Sequence, residues 1–353
     1  MDHSKTLTEL LDIVIKESGS DLHVAEGRQP VIRVSGILTP ITRIPALSKQ
    51  QMLEIVDTLL TKSNKEIFLA SKEIDFSYDF GENGRFRGNA FFQQGKISVV
   101  LRLIPKKIRL FKELNLPPIL EQFAKKEQGF FLVVGPVGQG KTTTLAAIIE
   151  TINQERAEHI LTIEDPIEYI YEPKKSIIDQ REIRIDTTDF PTAMRSMFRE
   201  DINVVLIGEM RGPETIATAV TAAETGHYVL STLHTNTASQ TIDRIIDSFP
   251  ASQQGQIRSQ LAGSLTGIFS QRLVPMISGG LIPVYELLIN NAAVANLIRE
   301  GRIHEINSVI ETGMAEGMID MNRSLIEMVR DGKITFDTAM RYSPNPKILE
   351  KMV

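Results

Sequence analysis

The stretch Phe130–Asn153, FFLVVGPVGQGKTTTLAAIIETIN, decides how this chain is read. Its apolar start, Phe130 to Val134, has the character of a strand. The turn after it reads G-x-x-x-x-G-K-T from Gly135 to Thr142, and Leu145, Ile148, Ile149 and Ile152 then recur at helical spacing. Strand, glycine-rich turn and helix make up the context in which that pattern binds phosphate. Gly135, Gly138 and Gly140 permit positive φ and let backbone N–H groups approach phosphate oxygens, while the helix offers its positive N-terminal end. Lys141 is expected to reach the β- and γ-phosphates, and the Thr142 hydroxyl to ligate magnesium. The expected nucleotide-contacting set is therefore Gly135, Pro136, Val137, Gly138, Gln139, Gly140, Lys141, Thr142 and Thr143.

Downstream, the pattern alternates strand and helix, which predicts a parallel sheet covered on both faces. Three more apolar strands run into polar residues: Ile160–Ile163 into Glu164, Asp165, Pro166, Ile167 and Glu168, Val204–Ile207 into Gly208 and Glu209, and Tyr228–Leu233 into His234. Ligands of open α/β sheets sit outside the carboxyl ends of strands, so these ends are expected to converge on one nucleotide. Glu209 is expected to organise magnesium together with Thr142. Glu164 is the first candidate for polarising the attacking water and Glu168 the second. His234 is a candidate γ-phosphate sensor, whereas His227, at the other end of the strand and on its opposite face, reads as structural.

Upstream lies a different pattern. Leu7, Leu10, Leu11, Val14 and Ile15 mark an amphipathic helix, Asp21–Ala25 and Val31–Ile41 read as strands, and Ser48 caps a second helix through Leu60. Ile74, Phe76, Tyr78 and Phe80 alternate with polar residues, and strands at 85–92 and 97–104 follow. This is an α+β domain with an antiparallel sheet. If Gln94-Gly95 is the hairpin turn, Gln93 pairs with Lys96 and Arg87 falls opposite Arg102. Like charges so placed destabilise a sheet unless an anion lies between them, and a triphosphate would serve. The prolines and basic residues of 106–118 read as a linker, giving domains at 1–105 and 119–353.

Composition sets outer bounds. The chain has 353 residues, 42% hydrophobic and 24% charged, as expected of two or three globular domains. It has no cysteine, which excludes disulfides, zinc-thiolate sites and thiol nucleophiles. Its first residues lack the basic and apolar regions of a signal peptide, and no apolar run reaches the roughly 18 residues of a membrane span, so a cytoplasmic protein without direct membrane insertion is expected. The net charge of −5 argues against general nucleic-acid binding. The cluster Lys106, Lys107 and Arg109 reads as solvated surface.

Together these residues resemble the secretion ATPase superfamily, in its type IV pilus retraction branch. GPVGQGKTTT resembles the family's first nucleotide motif, LTIEDPIEYI (161–170) its aspartate box, VVLIGEMR (204–211) its second nucleotide motif, and TGHYVLSTLHT (225–235) its histidine box. SDLHVAEGRQPVIRVSG (20–36) and GRFRGNAFF (84–92) resemble its N-terminal domain. The resemblance implies a PAS-like α+β domain followed by a RecA-like ATPase domain. It also implies a homo-hexamer that binds ATP and Mg2+ between its two domains, with Arg87 and Arg102 helping to close the site. A pilus retraction motor would sit at the cytoplasmic face of the inner membrane, with a membrane platform protein and related pilus motor ATPases as partners. Three departures stand out: Gln139 where the family usually has Ser, Gly212 where it has Asp, and Ala295 in AVANLIRE (293–300), where it has Arg. Assembly or type II secretion motors are the alternative within the superfamily, and they typically carry an N-terminal extension and four metal-binding cysteines. A non-hydrolysing scaffold is a third reading, which the retention of Glu164, Glu168 and Glu209 disfavours.

Overall fold

A computed structural model describes residues 4–34, 36–104, 107–210 and 212–352. Ser35 and Arg211 of the motifs above, Pro105 at the end of the first expected domain and Lys106 of the linker lie outside the described residues. The chain divides into two compact units, 1–107 with 168–170, and 108–167 with 171–353.

The first unit is built on six strands, β1 (Asp21–Ala25), β2 (Val31–Val34), β3 (Ile37–Pro40), β4 (Glu73–Asp79), β5 (Arg85–Gln93) and β6 (Lys96–Ile104). They are antiparallel throughout, in the order β3-β2-β1-β6-β5-β4. Alternation along the strands sends Leu22, Phe76, Phe86, Val99 and Leu101 into one core with Leu7, Leu10, Leu11 and Val14 of helix Ser4–Lys16 and with Met52, Ile55 and Val56 of helix Lys49–Leu59. Ser48 caps the latter through a reciprocal capping box with Gln51. The expected single strand 31–41 is two strands, because the chain reverses at Gly36 with φ +84°. Helix Lys62–Ser71 was not expected: it buries only Phe68, so its sequence carries little apolar periodicity.

The second unit carries seven strands, β7 (Gly129–Val134), β8 (His159–Glu164), β9 (Ile177–Glu182), β10 (Val204–Ile207), β11 (Tyr228–Leu233), β12 (Leu265–Pro275) and β13 (Leu281–Ile289). Their order is β13-β12-β7-β11-β10-β8-β9, parallel except for the antiparallel edge strand β13. Every residue of β7, β10 and β11 is buried, which requires cover on both faces. The spacing of Leu145, Ile148, Ile149 and Ile152 predicts one buried face on helix Lys141–Glu155, and the structure corrects this. That helix is buried nearly all round, with Glu150 paired to Lys174 and Asn153 Oδ1 accepting from the Lys174 N–H at 2.9 Å. Residues 108–118, expected as linker, belong to this unit and bury Phe111 and Leu116.

Candidate active site

Strand order arranges the site. β7, β11, β10 and β8 lie side by side, so the residues leaving their carboxyl ends follow the same sequence: the glycine loop with Lys141, then His234, Glu209 and Glu164. The distances obey it. Lys141 Nζ lies 3.2 Å from His234 Nδ1, and His234 Nε2 lies 3.8 Å from a Glu209 carboxylate oxygen. An ammonium can only donate, so Nδ1 accepts, and the imidazole in this arrangement carries its hydrogen on Nε2, facing Glu209. Glu164 ends β8, is buried, and accepts from the Thr162 hydroxyl at 2.7 Å. The backbone ahead of Glu209 packs on it, since a Cβ at Gly208 would lie 3.4 Å from Glu164 Cα.

The loop itself has the conformation its glycines permit. Gly135, Gly138 and Gly140 hold φ of +147°, +77° and +78°. At Gly135 glycine is also a steric requirement, because a Cβ would sit 2.4 Å from the Gln271 carbonyl oxygen of β12. Val137 and Gly138 form an exposed tip between half-buried Pro136 and Gln139, while Thr142 and Thr143 open the helix. Lys141 is buried and donates to the carbonyls of Gly135 (2.8 Å) and Pro136 (2.9 Å), so its charge is already held over the loop.

Other expected residues fall elsewhere. Glu168 is exposed, in the short segment 168–170 that groups with the first unit. His227 Nδ1 lies 3.1 Å from the Ala222 carbonyl and its ring meets Phe198 edge-on, as the structural reading required. In the first unit Arg87 does pair with Arg102 across the β5–β6 hairpin, with Gln93 opposite Lys96. The anion beside them is supplied by the fold. Asp21 on β1 is buried opposite Arg102, accepts from its Nε at 2.8 Å, and lies 3.7 Å from Arg33. Burial pushes the Asp21 carboxyl up, but hydrogen bonds from Ser20 and Arg102 and the arginine charge outweigh it and leave the group below the ordinary range.

Two features escaped the sequence reading. A cavity of about 580 Å³ opens beside the loop, lined among others by Arg109, Glu113, Asn115, Gly140, Thr143 and Leu273. The stretch expected as solvated linker thus forms one of its walls. The second is Gln271, whose buried amide contacts both the loop and the helix behind it. No periodicity marks a glutamine inside a strand as a partner of a loop 132 residues earlier.

The family described as type II/IV secretion system protein matches residues 4–279. The chain belongs to that family. It is 45% identical to a twitching motility protein of Neisseria gonorrhoeae across 90% of this chain and 84% of the relative. To the type IV pilus retraction ATPase PilT of Pseudomonas aeruginosa it is 40% identical, across 97% of this chain and 99% of the relative. Its fold is that of the crystal structure of the pilus retraction motor PilT with bound ADP, with a TM-score of 0.92 and 42% identity over 98% of both chains. The expected architecture, an N-terminal α+β domain followed by a RecA-like ATPase domain, is the one found.

Proposed function

We propose that this chain is a magnesium-dependent ATPase motor that drives retraction of type IV pili. The observation that carries the reading is the run Lys141–His234–Glu209, held at the carboxyl edge of the sheet beside a loop whose three glycines lie at positive φ. Its likeness over nearly full length to proteins named for pilus retraction and twitching supports the biological half.

Each residue has a role that its surroundings support. The loop N–H groups and Lys141 neutralise the phosphates, with Lys141 exchanging two carbonyl partners for phosphate oxygens. The Thr142 hydroxyl and the Glu209 carboxylate are hard oxygen donors suited to Mg2+, which would draw charge from the leaving phosphate. Glu164, oriented by Thr162, polarises the attacking water; its place at the strand end favours it over Glu168. His234 links the lysine to Glu209 and reports the γ-phosphate to the strand behind it. The cavity beside Gly140 and Thr143 takes the nucleoside. Arg87 and Arg102 supply further positive charge during hydrolysis.

The motor works as a homo-hexamer at the cytoplasmic face of the inner membrane. Among the described residues no helix is long and apolar enough to cross a membrane, so a platform protein in the bilayer would receive its force, in concert with related pilus motor ATPases. Ala295, 8% exposed on helix Ala292–Glu300, replaces the family's arginine inside a packed helix face and leaves the ATP site untouched. Deleting the gene tests the direction of the motor. Cells bearing abundant pili that no longer retract are expected; loss of surface pili would identify an assembly motor instead.

A further inference from the structure

Two glutamines tie the phosphate loop to β12. β7 and β12 pair only as far as Val134 and Ser270, and beyond that β12 runs on to Pro275 with the glycine loop, in place of a strand, against its edge. Gln139 makes the next pairing with its side chain, its Oε1 accepting from the Leu273 N–H at 2.7 Å. Gln271 commits both ends of its amide. Nε2 donates to the Gln139 carbonyl at 2.7 Å, and Oε1 accepts from the Thr144 hydroxyl at 2.6 Å. Reversing that amide would set its oxygen against the Gln139 carbonyl, two acceptors face to face, so the partners fix its orientation. The Gln271 backbone carbonyl meanwhile backs directly onto Gly135.

We propose that Gln139 and Gln271 are positioning residues, a latch that holds the phosphate loop in its binding shape before nucleotide arrives. The inference rests on the reading of this loop as the ATP site. A loop with three glycines at positive φ loses much backbone freedom when ordered. A latch that orders it in advance removes that cost from binding. Neither amide reaches a reacting atom in this role, so the latch acts on affinity more than on the chemical step.

The test uses the full-length protein, Mg-ADP titration calorimetry and steady-state phosphate release. Gln139→Ala removes the bond to Leu273. Gln271→Glu keeps an acceptor for Thr144 but faces the Gln139 carbonyl with no hydrogen to donate. Each is expected to raise the ADP Kd and the KM for ATP about tenfold, the scale of one lost buried hydrogen bond, while kcat falls by a smaller factor. Because both residues serve one latch, the double variant should bind less weakly than the product of the two single effects requires. Should Gln271→Glu not fold, Gln139→Ala, at a half-exposed position, decides alone. A folded Gln139→Ala protein with unchanged Kd and KM, or with a lowered kcat at unchanged KM, overturns the latch. Failure of the unaltered chain to bind Mg-ADP overturns the ATP-site reading and the latch with it.

Discussion

In the second unit the charge offered to an anion comes from backbone N–H groups and one buried lysine, all at the end of a parallel sheet. In the first unit it comes from arginines laid across an open antiparallel face, where the ladder runs Arg33, Asp21, Arg102, Arg87, Ser77 through five strands. The two arrangements answer the same repulsion differently. Two of the partners of the loop's lysine are carbonyls, which a phosphate oxygen could replace. The arginine row is already partly neutralised, because Asp21 sits between two of its members. A charge set beside carbonyl dipoles can pass to a ligand at small cost, whereas a charge set beside a buried carboxylate is tied to the fold.

The largest effect should come from breaking the first arrangement. Lys141→Ala removes the one full positive charge of the loop, and phosphate release is expected to fall by on the order of a thousandfold or more. Since Lys141 is buried and bonded to two carbonyls, the melting temperature should also drop, though the chain stays folded. Glu164→Gln separates binding from chemistry. It keeps shape and the partner Thr162, so Mg-ATP should bind normally while turnover is lost. Normal turnover in Glu164→Gln together with its loss in Glu168→Gln would move the water-polarising role along the chain.

A smaller effect tests the second arrangement, and here the arginines part company. Arg102→Ala leaves the buried Asp21 carboxylate with the Ser20 hydroxyl and, at 3.7 Å, Arg33 as its partners. Removing a charged hydrogen-bond partner of that kind costs about 1–3 kcal/mol. Arg87 has Ser77 on its other flank rather than an acid, so Arg87→Ala should leave stability within about 0.5 kcal/mol while lowering turnover. Asp21→Asn should destabilise the first unit, since Arg33 and Arg102 then lose their shared counter-charge. Urea titration of the three variants beside phosphate-release rates distinguishes these outcomes. Equal stability loss in Arg87→Ala and Arg102→Ala would dissolve the contrast.

What could be read from sequence follows the same division. The glycine loop was legible because its chemistry is local: the glycines, Lys141 and Thr142 lie within one turn. The Arg87–Arg102 register was legible because Gln94 and Gly95, both at positive φ, make a two-residue turn that fixes counting outward. Asp21 as their anion was not, since it arrives from a strand 81 residues away in sequence. β12 and β13 went unread because LTGIFSQRLVP mixes core residues with the glutamine and arginine that serve the neighbouring loop and helices. β9 was missed as a half-exposed edge strand, IIDQRE, with too little apolar alternation to stand out.

The last test, read as a change of stability with pH, sets one buried carboxylate from each unit against the other. Glu286 on β13 is buried and accepts a backbone N–H, that of Ala238, at 2.7 Å. Burial is the main reason its carboxyl is pushed up from 4.5 to about 7; Asp320 adds to the rise, while the Ala238 bond and Arg272 oppose it. Between those values the unfolded chain has lost this proton and the folded chain keeps it. This group therefore makes stability fall as pH rises from 4.5 to about 7, by up to roughly 1.4 kcal/mol per pH unit, and has no further effect above. Asp21 runs the other way. Its folded value is depressed, so its contribution is present above 3.8 and disappears as pH falls further through the folded value. Glu286→Gln keeps an oxygen for the Ala238 N–H and removes the charge. Compared with the parent by urea denaturation, it should gain stability at pH 8 relative to pH 5, whereas Asp21→Asn should lose most at neutral pH and least near pH 2. An identical pH profile for parent and Glu286→Gln would show that the helix start at Ala238 compensates the buried charge as fully as arginines compensate Asp21.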